Sequence, residues 1–138
     1  MIAVIPLTVI PLILYNGIGF AFGGNPWPTE VLGLTMVSGQ PWSLSIGDLI
    51  VVVAIVCLFF EMLRAARYSR TTIYNHITST LVLVVYLVEF IIVGAAATSV
   101  FLILSVIALF DVIAGFSISI RTASRDIAVG PHAMDGPA

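Results

Sequence analysis

Long apolar runs separated by short polar connections dominate this chain and predict helices that cross a membrane. Four such runs can be drawn, at about residues 2–22, 46–66, 73–93 and 100–120. Each is close to the ~20 residues that a helix needs to cross a hydrocarbon core about 30 Å thick. The pattern predicts an all-α integral membrane protein, an antiparallel four-helix transmembrane bundle over residues 1–121, followed by a disordered tail at 122–138.

The connection between the first two runs, residues 23–45, predicts a small structured element outside the bundle. It contains Trp27 and Trp42, and tryptophan prefers the headgroup region of a bilayer. Two short apolar stretches, LTMVS and WSLSI, flank the sequence GQP at 39–41, which favours a turn. We expect an extra-cytoplasmic hairpin here with both tryptophans as interfacial anchors, and a short interfacial helix is the alternative.

The positions of the basic residues predict the orientation in the membrane. All five basic residues are arginines: Arg64, Arg67, Arg70, Arg121 and Arg125. They lie between the second and third runs or directly after the fourth, and cytoplasmic connections are the ones that carry an excess of basic residues. We therefore expect a multi-pass protein with both termini in the cytoplasm.

Composition removes several functional classes. Of the 138 residues, 60% are hydrophobic and 9% are charged, whereas soluble domains have about 25% charged residues. Four spans leave no room for a soluble catalytic domain. The net charge of −2 and the few basic residues argue against a nucleic-acid partner, because phosphate binding needs a dense basic face. The expected partners are the lipid bilayer and either another copy of the chain or another membrane protein.

Three carboxylates inside the apolar runs are the strongest functional signal. A charged side chain at the bilayer centre costs about 2.5–3.5 kcal/mol on insertion scales, so such acids usually face the interior of the bundle. Each acid also lies on the small or polar stripe of its own helix, at spacings of three and four residues. With the polar groups on the same stripes they define a candidate intramembrane polar or ion site: Glu61, Glu89, Asp111, His76, Asn75, Tyr86 and Arg64.

Two interpretations of these acids compete. As packing groups they would bond to neighbours: Glu61 to Arg64, Glu89 to groups such as Tyr86 or Asn75, and Asp111 to a serine. As functional groups they would form a proton or cation relay, or a binding pocket for a small cationic or hydrogen-bonding ligand. In a relay the acids would form a staircase across the membrane. Counted at 1.5 Å per residue from the cytoplasmic helix ends, Glu61 lies about 8 Å deep, Asp111 about 14 Å and Glu89 about 22 Å.

Sequence motifs for catalysis are not found. The chain has no Glu-x-x-His pair of the kind that builds metal sites in bundles, no phosphate-binding loop and no nucleophile elbow. We therefore predict no catalytic residue, no metal site and no cofactor.

The stretches SGQPWSLSIGDL, LFFEMLRAAR and TSVFLI with DVIAGFSISIR resemble bacterial four-span inner-membrane proteins without an assigned activity. This resemblance implies a bacterial inner (cytoplasmic) membrane and a four-span bundle. It implies no catalytic or binding residue.

These observations favour a small non-enzymatic membrane protein that acts as an accessory, scaffold or assembly subunit of a membrane complex. The alternative is a small oligomeric proton or cation transporter or channel that uses the intramembrane carboxylates. A membrane enzyme acting on lipid or quinone comes third.

Overall fold

The computed structural model describes residues 5–67 and 72–128, which are mostly helical. The elements are α1 (Val9–Phe22), β1 (Glu30–Thr35), β2 (Pro41–Ser45), α2 (Ile46–Arg67), α3 (Thr72–Ile92), a 3-10 turn (Gly94–Ala96) and α4 (Ser99–Ala128). Within these ranges, three helices are long and apolar enough to cross a membrane: α2, α3 from Tyr74 onward, and α4 as far as Arg121. The chain thus has the features of a membrane protein. Arg70, which counts towards the predicted orientation, lies outside the described residues.

The first helix is shorter than the first apolar run. α1 has 14 residues, which corresponds to a length of about 21 Å, less than the ~30 Å hydrocarbon core. Two prolines explain where it begins. Pro6 precedes the helix, and Pro11 lies in its first turn, where the missing N–H costs little. By its length alone, α1 does not qualify as a fourth membrane-spanning helix.

α4 is the central helix, because α1, α2 and α3 all pack against it. Its Phe101 is fully buried at the centre of the core. The Phe101 ring centroid lies 4.7 Å from that of Tyr15, 5.4 Å from that of Tyr86 and 6.4 Å from that of Phe90. These contacts join α1 and α3 to α4 in one aromatic cluster.

α4 also continues past the end of the fourth apolar run at residue 120 and reaches Ala128. The sequence RTASRDIA contains no helix breaker, and the first glycine and proline follow at 130 and 131. The rest of the predicted tail, 129–138, lies outside the described residues.

β1 and β2 pair as a two-stranded antiparallel sheet. Leu32 pairs with Leu44 and Leu34 with Trp42, so these four side chains share one face of the sheet. Gly39 in the connecting turn has a φ of 82°, a conformation that glycine adopts without strain. Leu32, Leu34 and Trp42 are all exposed, and Leu44 is half-buried.

The sheet is fixed to the start of α2. The Ser45 backbone N–H donates to Asp48 Oδ2 at 2.9 Å, and the Asp48 backbone N–H donates to Ser45 Oγ at 3.1 Å, which is a reciprocal capping box. The Gly47 backbone N–H donates to the Trp27 carbonyl at 2.9 Å. A Cβ at Gly47 would lie 2.7 Å from Val100 Cγ2, so this junction requires glycine.

The two tryptophans have different environments, although we expected both at the headgroup level. The Trp27 ring is buried and stacks on Tyr15 with a centroid distance of 3.9 Å. A buried ring cannot insert into headgroups, so Trp27 is a packing residue. Trp42 is 42% exposed and is the one of the two that is available as an anchor.

Candidate functional site

Glu61 of α2 is 3% exposed and bonds on both carboxylate oxygens. Oε1 accepts a hydrogen bond from Arg64 Nη2 at 2.7 Å, which is the ion pair expected from the sequence. Oε2 accepts from the Leu7 backbone N–H at 3.1 Å. Arg64 Nη2 also donates to the Ile5 carbonyl at 3.1 Å. The ion pair therefore attaches the segment before α1 to α2.

Asp111 of α4 is 6% exposed and bonds to the same segment. Its Oδ2 accepts from the Thr8 hydroxyl at 3.0 Å. Ser79 also hydrogen-bonds its carboxyl group, which is the serine contact that the sequence suggested. The Tyr86 hydroxyl of α3 donates to the Thr8 carbonyl at 2.9 Å. Thr8 thus joins α3 and α4, and its hydroxyl does not cap its own helix.

Both carboxylates lie at the N-terminal end of α1. The backbone N–H groups at a helix N-terminus carry a partial positive charge that favours nearby anions. Residues 5–8 thus bring two donors, the Leu7 N–H and the Thr8 hydroxyl, to the two buried acids.

A small cavity of about 20 Å³ lies between α2, α3 and α4, which is room for about one water molecule. Its polar lining comes from all three helices: Glu61, Asn75, His76, Ser79 and Asp111. Asn75 Oδ1 is completely buried and has no hydrogen-bond partner among the described residues. Among the described residues, an acceptor of this cavity residue is therefore left without a donor.

His76 is held at one end of this cavity by α4. Its ring stacks on Phe116 with a centroid distance of 4.9 Å, and its Nε2 hydrogen-bonds the Ser119 hydroxyl. A Cβ at Gly115 would lie 2.6 Å from His76 Cε1, so glycine makes room for the ring. His76 is thus a half-buried packing partner of α4 as well as a cavity residue.

Glu89 does not join the other two acids. It is half-buried, and the part of the chain that the structure describes offers no hydrogen bond to its carboxylate. Tyr86 donates to Thr8 instead. Asn75 precedes Glu89 by 14 residues on the same helix, about 21 Å along its axis, which is too far for a hydrogen bond. Glu89 follows Ser79 by ten residues on α3, a separation of about 15 Å along the helix.

The predicted set of polar residues therefore divides in two. Five of its members line or directly adjoin the cavity, whereas Tyr86 reaches the cluster only through Thr8, and Glu89 stays apart. The sequence prediction missed the contributions of Ile5, Leu7 and Thr8. The available signal was a threonine between Pro6 and Pro11, because threonine directly before a proline-containing first turn marks a helix start.

Comparisons with protein-family models, with curated proteins and with solved structures find no match to this chain. In the described residues, no group of three or more His, Cys, Asp or Glu side chains is placed to hold a metal ion. The functional argument therefore starts from the geometry of the cluster and of the sheet.

Proposed function

We propose that this protein is a small non-enzymatic membrane protein that acts as an accessory or assembly subunit of a membrane complex. The observation that carries the proposal is the uncovered apolar face of the β1–β2 sheet. An isolated two-stranded sheet is marginally stable in water, yet this one presents Leu32, Leu34 and Trp42 outward. Its rigid attachment to α2 suits a surface that docks against a neighbouring membrane protein.

The arrangement in the membrane that we infer is an antiparallel four-span bundle in a bacterial inner membrane, in which α1 and residues 5–8 together form the first crossing. Side-chain contacts support the antiparallel orientation of the α1 and α3 segments relative to the α4 segment. Residue numbers along α1 and α3 increase in the direction in which those along α4 decrease. These contacts pair Thr8 with Asp111, Tyr15 with Thr98, His76 with Ser119 and Phe90 with Phe101.

Arginine placement supports cytoplasmic termini and an external sheet. In a Cys57→Ala background, a membrane-impermeant thiol reagent should label a cysteine at Ser38, in the β1–β2 turn, in intact cells. It should label a cysteine at Ser124, near the end of α4, only after the membrane is permeabilised. Both positions are exposed, so burial does not confound the comparison. The reverse labelling pattern would refute this topology.

A photo-crosslinking residue at Leu34 tests the accessory function in the native membrane. We expect it to form a covalent adduct with a membrane protein, because Leu34 is on the apolar face of the sheet. Ser43 is the matched control, since it pairs with Gly33 and belongs to the opposite face. Adducts with lipid alone, at equal yield from both positions, would contradict the proposal.

Proton or cation transport is the second candidate function, and one observation favours it. Two buried carboxylates, Glu61 and Asp111, line the small cavity between α2, α3 and α4. Purified protein in liposomes separates the two candidates. The accessory function predicts no proton or monovalent-cation flux above that of empty liposomes, whereas flux that Asp111→Asn abolishes would establish transport in its place.

A further inference from the structure

The buried cluster has an uncompensated negative charge. Glu61 and Arg64 form an ion pair and cancel one another. Asp111, which is 6% exposed, has no cationic partner within hydrogen-bonding distance among the described residues, and the Thr8 hydroxyl that it accepts from is neutral. With Glu61 and Asp111 ionised and Arg64 protonated, the formal charges of the three groups sum to −1. A buried charge is costly unless it is paired or neutralised.

The cavity beside Asp111 has the size and chemistry to supply that neutralisation. It has room for one water-sized species. Asn75 Oδ1 is buried without a partner, and the carboxylates of Glu61 and Asp111 and the hydroxyl of Ser79 also line the cavity. These oxygen atoms, set in a lining that is otherwise mostly apolar, favour a small hard cation or a proton-bearing group.

We propose that this cavity binds one monovalent positive charge, carried by a sodium ion or by a proton, which neutralises Asp111 and completes the attachment of residues 5–8. Bound sodium would have oxygen ligands from Asp111, Asn75 and Ser79. A bound proton would lie on Asp111 or on a cavity water that donates to Asn75 Oδ1. This site is independent of the proposed accessory function, because it needs neither a partner protein nor flux.

Other charged or titratable groups face the same region and enter the test. Glu61 and Arg64 come from α2, and His76 and Tyr86 come from α3. Residues 5–8 bring no titratable side chain. His76 is the nearest competing proton acceptor, but its ring is held against Phe116 and Ser119. His76→Gln is therefore the control that separates a proton on the imidazole from one on Asp111.

The thermal unfolding midpoint of the detergent-solubilised full chain tests the proposal. One arm replaces choline by sodium at pH 8 and constant ionic strength, and the other lowers the pH from 8 to 5 without sodium. At saturation we expect a rise in the midpoint of about 3 °C or more in at least one arm, since a ligand that binds only the folded state stabilises it. In the pH arm this rise means that the folded state binds more protons than the unfolded state.

Asp111→Asn should abolish the response, because the amide removes the charge with little change in shape and can still accept from Thr8. Glu89→Gln, which neutralises an acid of α3 that does not line the cavity, should respond as the wild type does. His76→Gln should keep a response, with a changed size because His76 lines the cavity. A rise in the midpoint with sodium alone identifies sodium as the bound charge, and a rise with acid alone identifies the proton. If each ligand reduces the response to the other, sodium and the proton compete for one site. A wild type that responds in neither arm, an unchanged response in Asp111→Asn, or a response lost only in His76→Gln would overturn the proposal.

Discussion

Replacing Glu61 by leucine is expected to lower the free energy of unfolding by about 3 kcal/mol. The substitution removes the acceptor for the Leu7 N–H and for Arg64 Nη2 at once. Breaking a buried ion pair by removing one partner costs about 3–5 kcal/mol. We expect the lower end of that range, because the Arg64 side chain is 22% exposed and can reach water by reorienting. Reversible unfolding in mixed detergent micelles, followed by circular dichroism, measures the change.

The double variant Glu61→Leu/Arg64→Leu is the informative companion. If the loss comes from the uncompensated arginine, removing both charges should restore much of the stability, because apolar replacement of a buried pair is often neutral or stabilising. Glu61→Gln, which keeps an acceptor oxygen, should fall between the wild type and the leucine variant. A double variant as unstable as Glu61→Leu alone would show that the Leu7 contact, and not the ion pair, is the main contribution.

The sequence was informative where the interactions are local. Spacings of three and four residues put Glu61 and Asp111 on the small or polar stripes of their helices, and both side chains are buried as expected. The Glu61–Arg64 pair was equally readable, because residues three apart on a helix are neighbours whatever the tertiary structure. The three long apolar helices also follow from run length alone.

The contacts of residues 5–8 were not readable from the sequence. The Leu7–Glu61 and Thr8–Asp111 hydrogen bonds join residues 54 and 103 positions apart, and no local pattern encodes such a pairing. The length of the apolar run also did not predict where α1 starts. Hydropathy is insensitive to backbone restrictions, whereas Pro6 and Pro11 limit the start of the helix to the residues between them. The partner of Glu89 was not readable from its own helix either, because the hydroxyl of Tyr86 donates to Thr8, which is 78 positions away.

Alanine in place of Phe101 should cost about 3 kcal/mol of unfolding free energy. Phe101 is fully buried, and its ring contacts aromatic rings of α1 and α3. Truncation of a buried phenylalanine to alanine costs about 3–5 kcal/mol in soluble proteins. Lipid-embedded helices associate mainly through packing and not through exclusion of water, so the cavity left behind provides most of the cost here and the lower value applies.

Phe110→Ala is the matched control, because Phe110 lies on the same helix but is 57% exposed. Its truncation should change stability much less, since the ring that is removed contacts lipid and its loss opens no cavity inside the protein. Phe101→Leu should be intermediate, as leucine fills part of the space between Tyr15 and Tyr86. Because Tyr15 stacks on Trp27, the Phe101→Ala variant should also change the tryptophan emission spectrum, whereas Phe110→Ala should not. Equal destabilisation by the two alanine variants would show that α4 does not bury its Phe101 face within the protein.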